Sequence, residues 1–210
     1  LIVLSLHTPG GLMTSMQNMI QDILASPIPV VTYVSPSGSH AASAGTFILY
    51  ASHIAAMSPG TNLGAATPVQ MNGQDVKEDK ESKNPSPGPK ILDKIRQGID
   101  DKRAEDLYPD DGKTALERKS MNDAAAYIRS LADLRGRNAE WAERAVTHAK
   151  SLTAKEALAQ NVINIIAHDI NDLLAQIDGV EVTIGDDAKK HVIKTGDMAI
   201  EYVTPDWRAQ

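Results

Sequence analysis

"HAASAGTFILYAS", residues 40–52, decides how this chain is read. It sets Ser43 among Ala41, Ala42, Ala44 and Gly45 and then runs directly into an apolar segment. The loop signal "PSGS" at 36–39 and the apolar run after it read as a loop followed by a helix that begins near Ser43. Working outward, "PIPVVTYVS" (27–35) is an apolar strand and "HIAAMSPGTNLGAA" (53–66) a short strand with a glycine loop. Upstream, "LIVLSL" reads as a buried strand and "HTPGG" as a turn. In "LMTSMQNMIQDILAS", Leu12, Met16, Met19, Ile20, Ile23 and Leu24 recur at helical spacing. Strands that alternate with helices, and are apolar throughout rather than at every second residue, imply an α/β fold with a parallel sheet covered on both faces.

Composition narrows the function classes. With 210 residues and 42% hydrophobic content the chain can bury a sizeable core. The net charge of -6 argues against a nucleic-acid binder, which carries a concentrated basic footprint. The absence of cysteine excludes disulfides and thiolate metal sites. No apolar run approaches the roughly 18 residues of a membrane span, and no basic-then-apolar signal segment stands at the start. Because "LIVLSL" is a strand already under way at residue 1, a preceding strand and any targeting segment are expected to lie outside the sequence.

Residues 71–118 change character, with charged runs around the Pro/Gly-rich "PSPGPK". A mobile insertion over 72–117 is expected, with a short helix near "ILDKIRQGID". Order resumes at "SMNDAAAYIRSLADLRGRN", where Ala124, Ile128, Leu131 and Leu134 share a face and Gly136 stops the helix. "NAEWAERAVTHAK" is a helix, "SLTAKEALAQN" a helix with Thr153 and Glu156 in capping-box spacing, "VINIIA" a strand and "INDLLAQIDG" a last helix. The tail alternates like a small β-hairpin around "GDDAKK". The expected organisation is an α/β domain over 1–179 and a β-rich extension over 180–210.

A serine hydroxyl becomes a nucleophile when a base takes its proton, and the oxyanion formed on attack needs pre-aimed N–H donors. Small neighbours let a substrate backbone approach Ser43, and a helix start there offers free N–H groups, that of Ala44 first. The glycine turn at Gly10 and Gly11 can present backbone N–H groups without side-chain obstruction. Taken alone, a serine among alanines is by default a helix N-cap or a tight-packing residue.

Strand–"HTPGG"–helix, "PSGSHAASAGT" and "ASHIAAMSPGTNLGAA" in succession resemble the NfeD-type membrane-associated serine proteases, relatives of Clp protease in the Clp/crotonase superfamily. The resemblance covers about residues 1–179 and includes "SLTAKEALAQNVINIIAHDINDLLAQIDG". It implies a ClpP/crotonase-like fold of spiral ββα units, with Ser43 as nucleophile. Clp protease places a histidine base after the corresponding loop, where this chain has Ala65, Ala66 and Thr67. The resemblance puts the base instead at Lys119, by its offset from "AAAYIRSLA", with Lys90 the runner-up. A lysine base needs a pKa well below the usual value of about 10.4, which burial and a helix N-terminus both favour. His7 stands where the family has aspartate in "LDTPGG" and reads as structural, while His40 lines the cleft. His53, His148, His168 and His191 show no ligand spacing, so neither a metal nor a cofactor is expected.

The family reading implies an endopeptidase in which Gly10, Gly11 and Ala44 surround the oxyanion. It implies hydrophobic peptide substrates from stomatin-like membrane proteins, a homodimer, and a membrane-associated, extracytoplasmic location. The other readings are a catalytically inactive scaffold that binds a membrane partner, and a crotonase-like acyl-CoA enzyme.

Overall fold

A computed structural model describes residues 1–68, 114–185, 189–196 and 199–203. The chain divides into two units, Leu1–Pro68 with Ser120–Gln210, and Val69–Lys119. The expected mobile insertion lies outside the described residues as far as 113, and so does the expected helix near "ILDKIRQGID".

Four strands, β1 (Ile2–Leu6), β2 (Val30–Val34), β4 (Ile54–Met57) and β7 (Ile165–Ile166), form an all-parallel sheet in the order β1-β2-β4-β7. Every residue of β2 and β4 is buried, because the strand period of 2 sends alternate side chains into cores on opposite faces. Val30 and Val34 join Met16, Ile20 and Ile23 of α1 (Met13–Ala25) and the wholly buried α2 (Ala44–Ala51). Ile128 and Leu131 of α3 (Ala115–Leu134) and Trp141 and Val146 of α4 (Ala139–Thr147) complete that core. Val31 and Tyr33 pack on the other face against Leu173 and Ile177 of α6 (Ile170–Ile177). The hairpin β8 (Glu181–Ile184) and β9 (Lys189–Val192) adds Val182 and Ile184 to that second core.

A second sheet carries the loops that matter chemically. In it β3 (His40–Ala42) pairs in parallel with β5 (Asn62–Gly64), and β5 pairs antiparallel with β6 (Ser151–Thr153). The glycine turn after β1 is stitched to it, since Thr8 N–H donates to His40 O at 2.9 Å and Ala42 N–H to Thr8 O at 3.0 Å. These parallel units and flanking helices are the ClpP-like α/β arrangement expected from the sequence. The capping box of Thr153 and Glu156 is present at the start of α5 (Ala154–Ala159). Differences are local. The segment read as a loop leading into a helix contains β3, and Leu134 is 61% exposed instead of buried, because the helix ends beside it at a left-handed Gly136. Helix α3 starts at Ala115, five residues before the expected order, because Thr114 and Glu117 cap each other reciprocally. No described helix is long and apolar enough to cross a membrane.

Candidate active site

Ser43 occupies the joint between β3 and α2 with φ 51 and ψ -117, a conformation that costs an L-residue of order 1–3 kcal/mol. The strain is maintained from both sides. Ser43 N–H donates to Gly64 O at 3.2 Å, and Thr46 N–H closes the first helical turn onto Ser43 O at 3.0 Å. Thr46, itself fully buried, donates its hydroxyl to Ala41 O and Gly64 O, tying β3 and β5 to the helix start. The backbone is thus fixed while the Ser43 hydroxyl has no hydrogen-bond partner among the described residues. A strained serine with a free hydroxyl on a strand-to-helix corner is the arrangement of a nucleophile elbow.

The glycine turn lies against this serine. A Cβ on Gly10 would fall 2.8 Å from Ser43 Cβ and 3.2 Å from its Oγ, and Gly10 adopts φ +132. Gly45, in the first turn of α2, allows the same closeness from beneath, because a Cβ there would meet Thr8 Cγ2 at 2.7 Å. Thr8 locks the turn internally: its Oγ1 donates to Gly10 O at 3.0 Å and accepts from Gly10 N–H at 3.1 Å. Gly10 N–H is therefore engaged, whereas those of Gly11 and Ala44 have no partner among the described residues. Gly10 contributes bare Cα surface beside Ser43, and the residues with free N–H groups adjoin it in the chain, Gly11 after Gly10 and Ala44 after Ser43.

The opposite end of α2 is held by two arginines that the sequence pattern does not single out. Arg137, 5% exposed, donates through Nη1 to Leu49 O and Tyr50 O at 3.0 and 2.9 Å. Its Nη2 donates to Ser52 O and to Asn164 Oδ1 at 3.0 and 2.9 Å. Arg135 Nε donates to Ala51 O at 2.8 Å. The last carbonyls of the helix thus receive cationic donors, as its dipole favours. Burial, and secondarily the neighbouring Arg135, pushes Arg137 down to about 9, so it remains a cation at neutrality. Tyr50 is pushed up by burial, with Arg137 pulling it back, and its hydroxyl donates to Asn138 O.

The other residues expected at the site are dispersed. Lys119 lies in the second turn of α3, exposed rather than buried, because that turn presents its charged residues outward. Ser43 belongs to the first unit and Lys119 closes the second. Lys90 lies outside the described residues. Thr67, where a Clp-type base would follow the loop, spends its hydroxyl on Val146 O at 2.6 Å. His7 Nδ1 accepts from His40 N–H at 3.3 Å, and the two rings meet edge to face at 4.7 Å.

The family model of the NfeD1b N-terminal domain matches residues 1–85. The membrane-bound protease PH1510 of Pyrococcus horikoshii is 34% identical over 210 residues, 99% of this chain and 39% of that protein. The membrane protein NfeD1b of Bacillus subtilis is 45% identical over 73 residues, 34% of this chain and 16% of that protein. The chain therefore spans about two fifths of the length of the longer-matching relative. Among solved structures, a lysine-to-alanine mutant of the membrane-bound stomatin-specific protease 1510-N, in complex with a substrate peptide, matches at TM-score 0.72 and 33% identity. That match covers 99% of this chain and 78% of the other. A serine-to-alanine mutant of the same protease matches at TM-score 0.71 and 35% identity, covering 97% and 82%. The chain is a homologue of a serine protease with serine and lysine at its catalytic site, and it belongs to the family of the NfeD-type membrane-bound proteases represented by 1510-N.

Proposed function

We propose that this chain is the protease domain of a membrane-associated serine endopeptidase working through a Ser43–Lys119 dyad. The observation that carries the reading is Ser43 itself: a strained residue with an unengaged hydroxyl, packed against Gly10 of the glycine turn. Ser43 Oγ attacks the peptide carbonyl carbon while Lys119, in its amine form, accepts the hydroxyl proton. The oxyanion is received by the Gly11 and Ala44 N–H groups, with Gly10 leaving room for it. As the C–N bond breaks, Lys119 returns its proton to the departing amine. Water, deprotonated by Lys119, then attacks the acyl ester and frees Ser43.

The solved relative points to the substrate class, since 1510-N is specific for a stomatin homolog. The proposed substrates are apolar segments of stomatin-like membrane proteins, cleaved by a homodimer on the extracytoplasmic side. The organisation proposed is a catalytic domain over 1–179 with a β-rich extension over 180–210.

Fluorophosphonate labelling of the purified chain, with the adduct located by mass spectrometry, tests the reading. The expected result is one adduct on Ser43, lost in Ser43→Ala and slowed at least a hundredfold in Lys119→Ala. A folded parent chain that takes no label would favour the scaffold reading, and acyl-CoA turnover without labelling the crotonase-like one.

A further inference from the structure

A cavity of about 460 Å³ lies between the start of β4, the end of α3, β7 and β8. His53, Arg135 and Asn164 supply polar lining, and Leu134, Val180 and Val182 supply apolar lining. Glu181 and the amides of Asn164 and Gln176 share the lining, and the donors of His53 and Arg135 are the groups left unpaired. His53 is 8% exposed, and its Nδ1 accepts from Val30 N–H at 3.1 Å, so the neutral ring carries its proton on Nε2. That Nε2 is buried with no acceptor. Arg135 Nη2 is likewise buried without a partner, and its Nη1 has only a long 3.5 Å approach to Thr183 O. Behind them, Arg137 Nε is also unpartnered.

Unsatisfied buried donors are rare enough to require an explanation, and here three lie together. All three atoms are closed to water, so what this corner lacks is a compensating charge nearby. Two desolvated guanidiniums sit side by side, and each is pushed down by burial, Arg137 also by its neighbour. The α2 C-terminus offers only about half a negative charge against them. Glu181, the acid in the cavity wall, is already paired with Lys190 at 2.7 Å. The cavity thus lacks an unpaired negative charge to face Arg135 beside its apolar wall.

We propose that this cavity binds a small amphipathic carboxylate, its oxygens received by Arg135 Nη1 beside the His53 ring, its apolar body laid against Leu134, Val180 and Val182. The site is separate from Ser43, which lies at the other end of α2.

Octanoate and inorganic phosphate serve as probes on the intact chain, with the His53 imidazole followed by NMR in histidine-labelled protein. Octanoate should shift the His53 resonances saturably, with a Kd below about 1 mM. Arg135→Met should weaken that binding about tenfold or more. Leu134→Trp should do the same by filling the cavity mouth, and because Leu134 is 61% exposed the fold tolerates the change. A crystal structure grown with octanoate should place the carboxylate against Arg135. The proposal is overturned if octanoate leaves His53 unshifted, or if both variants bind like the parent. Ordered water alone in that crystal, or phosphate binding as tightly as octanoate, would equally overturn it.

Discussion

Replacing Gly10 by alanine tests the geometry of the site without touching a hydrogen-bonding group. The added Cβ would lie 2.8 Å from Ser43 Cβ and 3.2 Å from Oγ, where carbon atoms ordinarily approach to about 3.5–4.0 Å. The φ of +132 adds a backbone cost of about 1–3 kcal/mol for any L-residue. The Thr8 lock on one side and the Gly64 and Thr46 hydrogen bonds on the other leave Ser43 and the turn no free direction, so they must separate by close to 1 Å. A misplacement of that size costs on the order of a hundredfold in reaction rate. Gly10→Ala should therefore lose about 2 kcal/mol in urea denaturation, and its fluorophosphonate labelling rate, measured well below the unfolding midpoint, should fall about a hundredfold. Gly11→Ala provides the stability contrast: a Cβ there meets nothing within 4 Å, so its unfolding midpoint should hold or rise slightly. Labelling of Gly10→Ala at the parental rate would refute both the packing of the glycine turn on Ser43 and its place in the reaction.

Other outcomes follow from the same structure. Lys119→Arg should fail almost as badly as Lys119→Ala in peptide cleavage, because a guanidinium stays protonated and cannot accept the serine proton, whereas His40→Ala should keep the shape of the pH–rate profile. His53 is lowered from 6.5 to about 4, chiefly by burial and then by Arg135, so the fold favours its neutral ring. The unfolded chain binds that proton first, so stability is full above pH 6.5 and falls as pH drops towards 4, by up to about 3 kcal/mol. Urea midpoints at stepped pH should show this limb, and His53→Gln should flatten it; an unchanged slope would remove His53 as the cause. Arg137→Met strands the carbonyls of Leu49, Tyr50 and Ser52 and should cost about 3 kcal/mol or more, read as a lowered urea midpoint.

What the sequence disclosed, and what it hid, divides along the range of the interactions. The strand–turn–helix succession was legible because hydrophobic period and glycine turns are local signals, and the box of Thr153 and Glu156 was visible for the same reason. Ser43 and the glycine turn could be paired as motifs, but their mutual approach depends on a ladder from Thr8 to β3, thirty residues onward. β3 itself was missed because three residues carry no periodicity, and its partner β5 lies across the whole of α2. The early start of α3 had a local signal in Thr114 and Glu117, masked by the charged composition around it. Arg135 and Arg137 gave only "RGRN" after a helix, which reads as solvent-facing charge; their targets are carbonyls more than eighty residues earlier, which no local pattern reveals.

Those two arginines could serve catalysis by field or by position, and the magnitudes decide between them. By neutralising the negative end of α2 they leave its positive end, at Ala44, less opposed. A helix dipole acting at its terminus is worth about 0.3–1 kcal/mol, up to about 2 where partly buried. Eight residues also put about 12 Å between the two ends, which dilutes any change made at the carbonyl end. A direct N–H donor to an oxyanion is worth about 2.7–4 kcal/mol, and that value depends on its being aimed at the right point. Position therefore outweighs field. Ser43 and Ala44 sit on a buried helix that cannot slide along its axis, because Arg137 and Arg135 grip its last carbonyls while the hydrogen bonds of Thr46 to Ala41 and Gly64 fix its first turn. An anion received by Arg135 would weaken the field at Ser43 by only a small fraction of the dipole's own modest effect. A measurable change in labelling rate on occupancy of that cavity would have to travel as a displacement of α2.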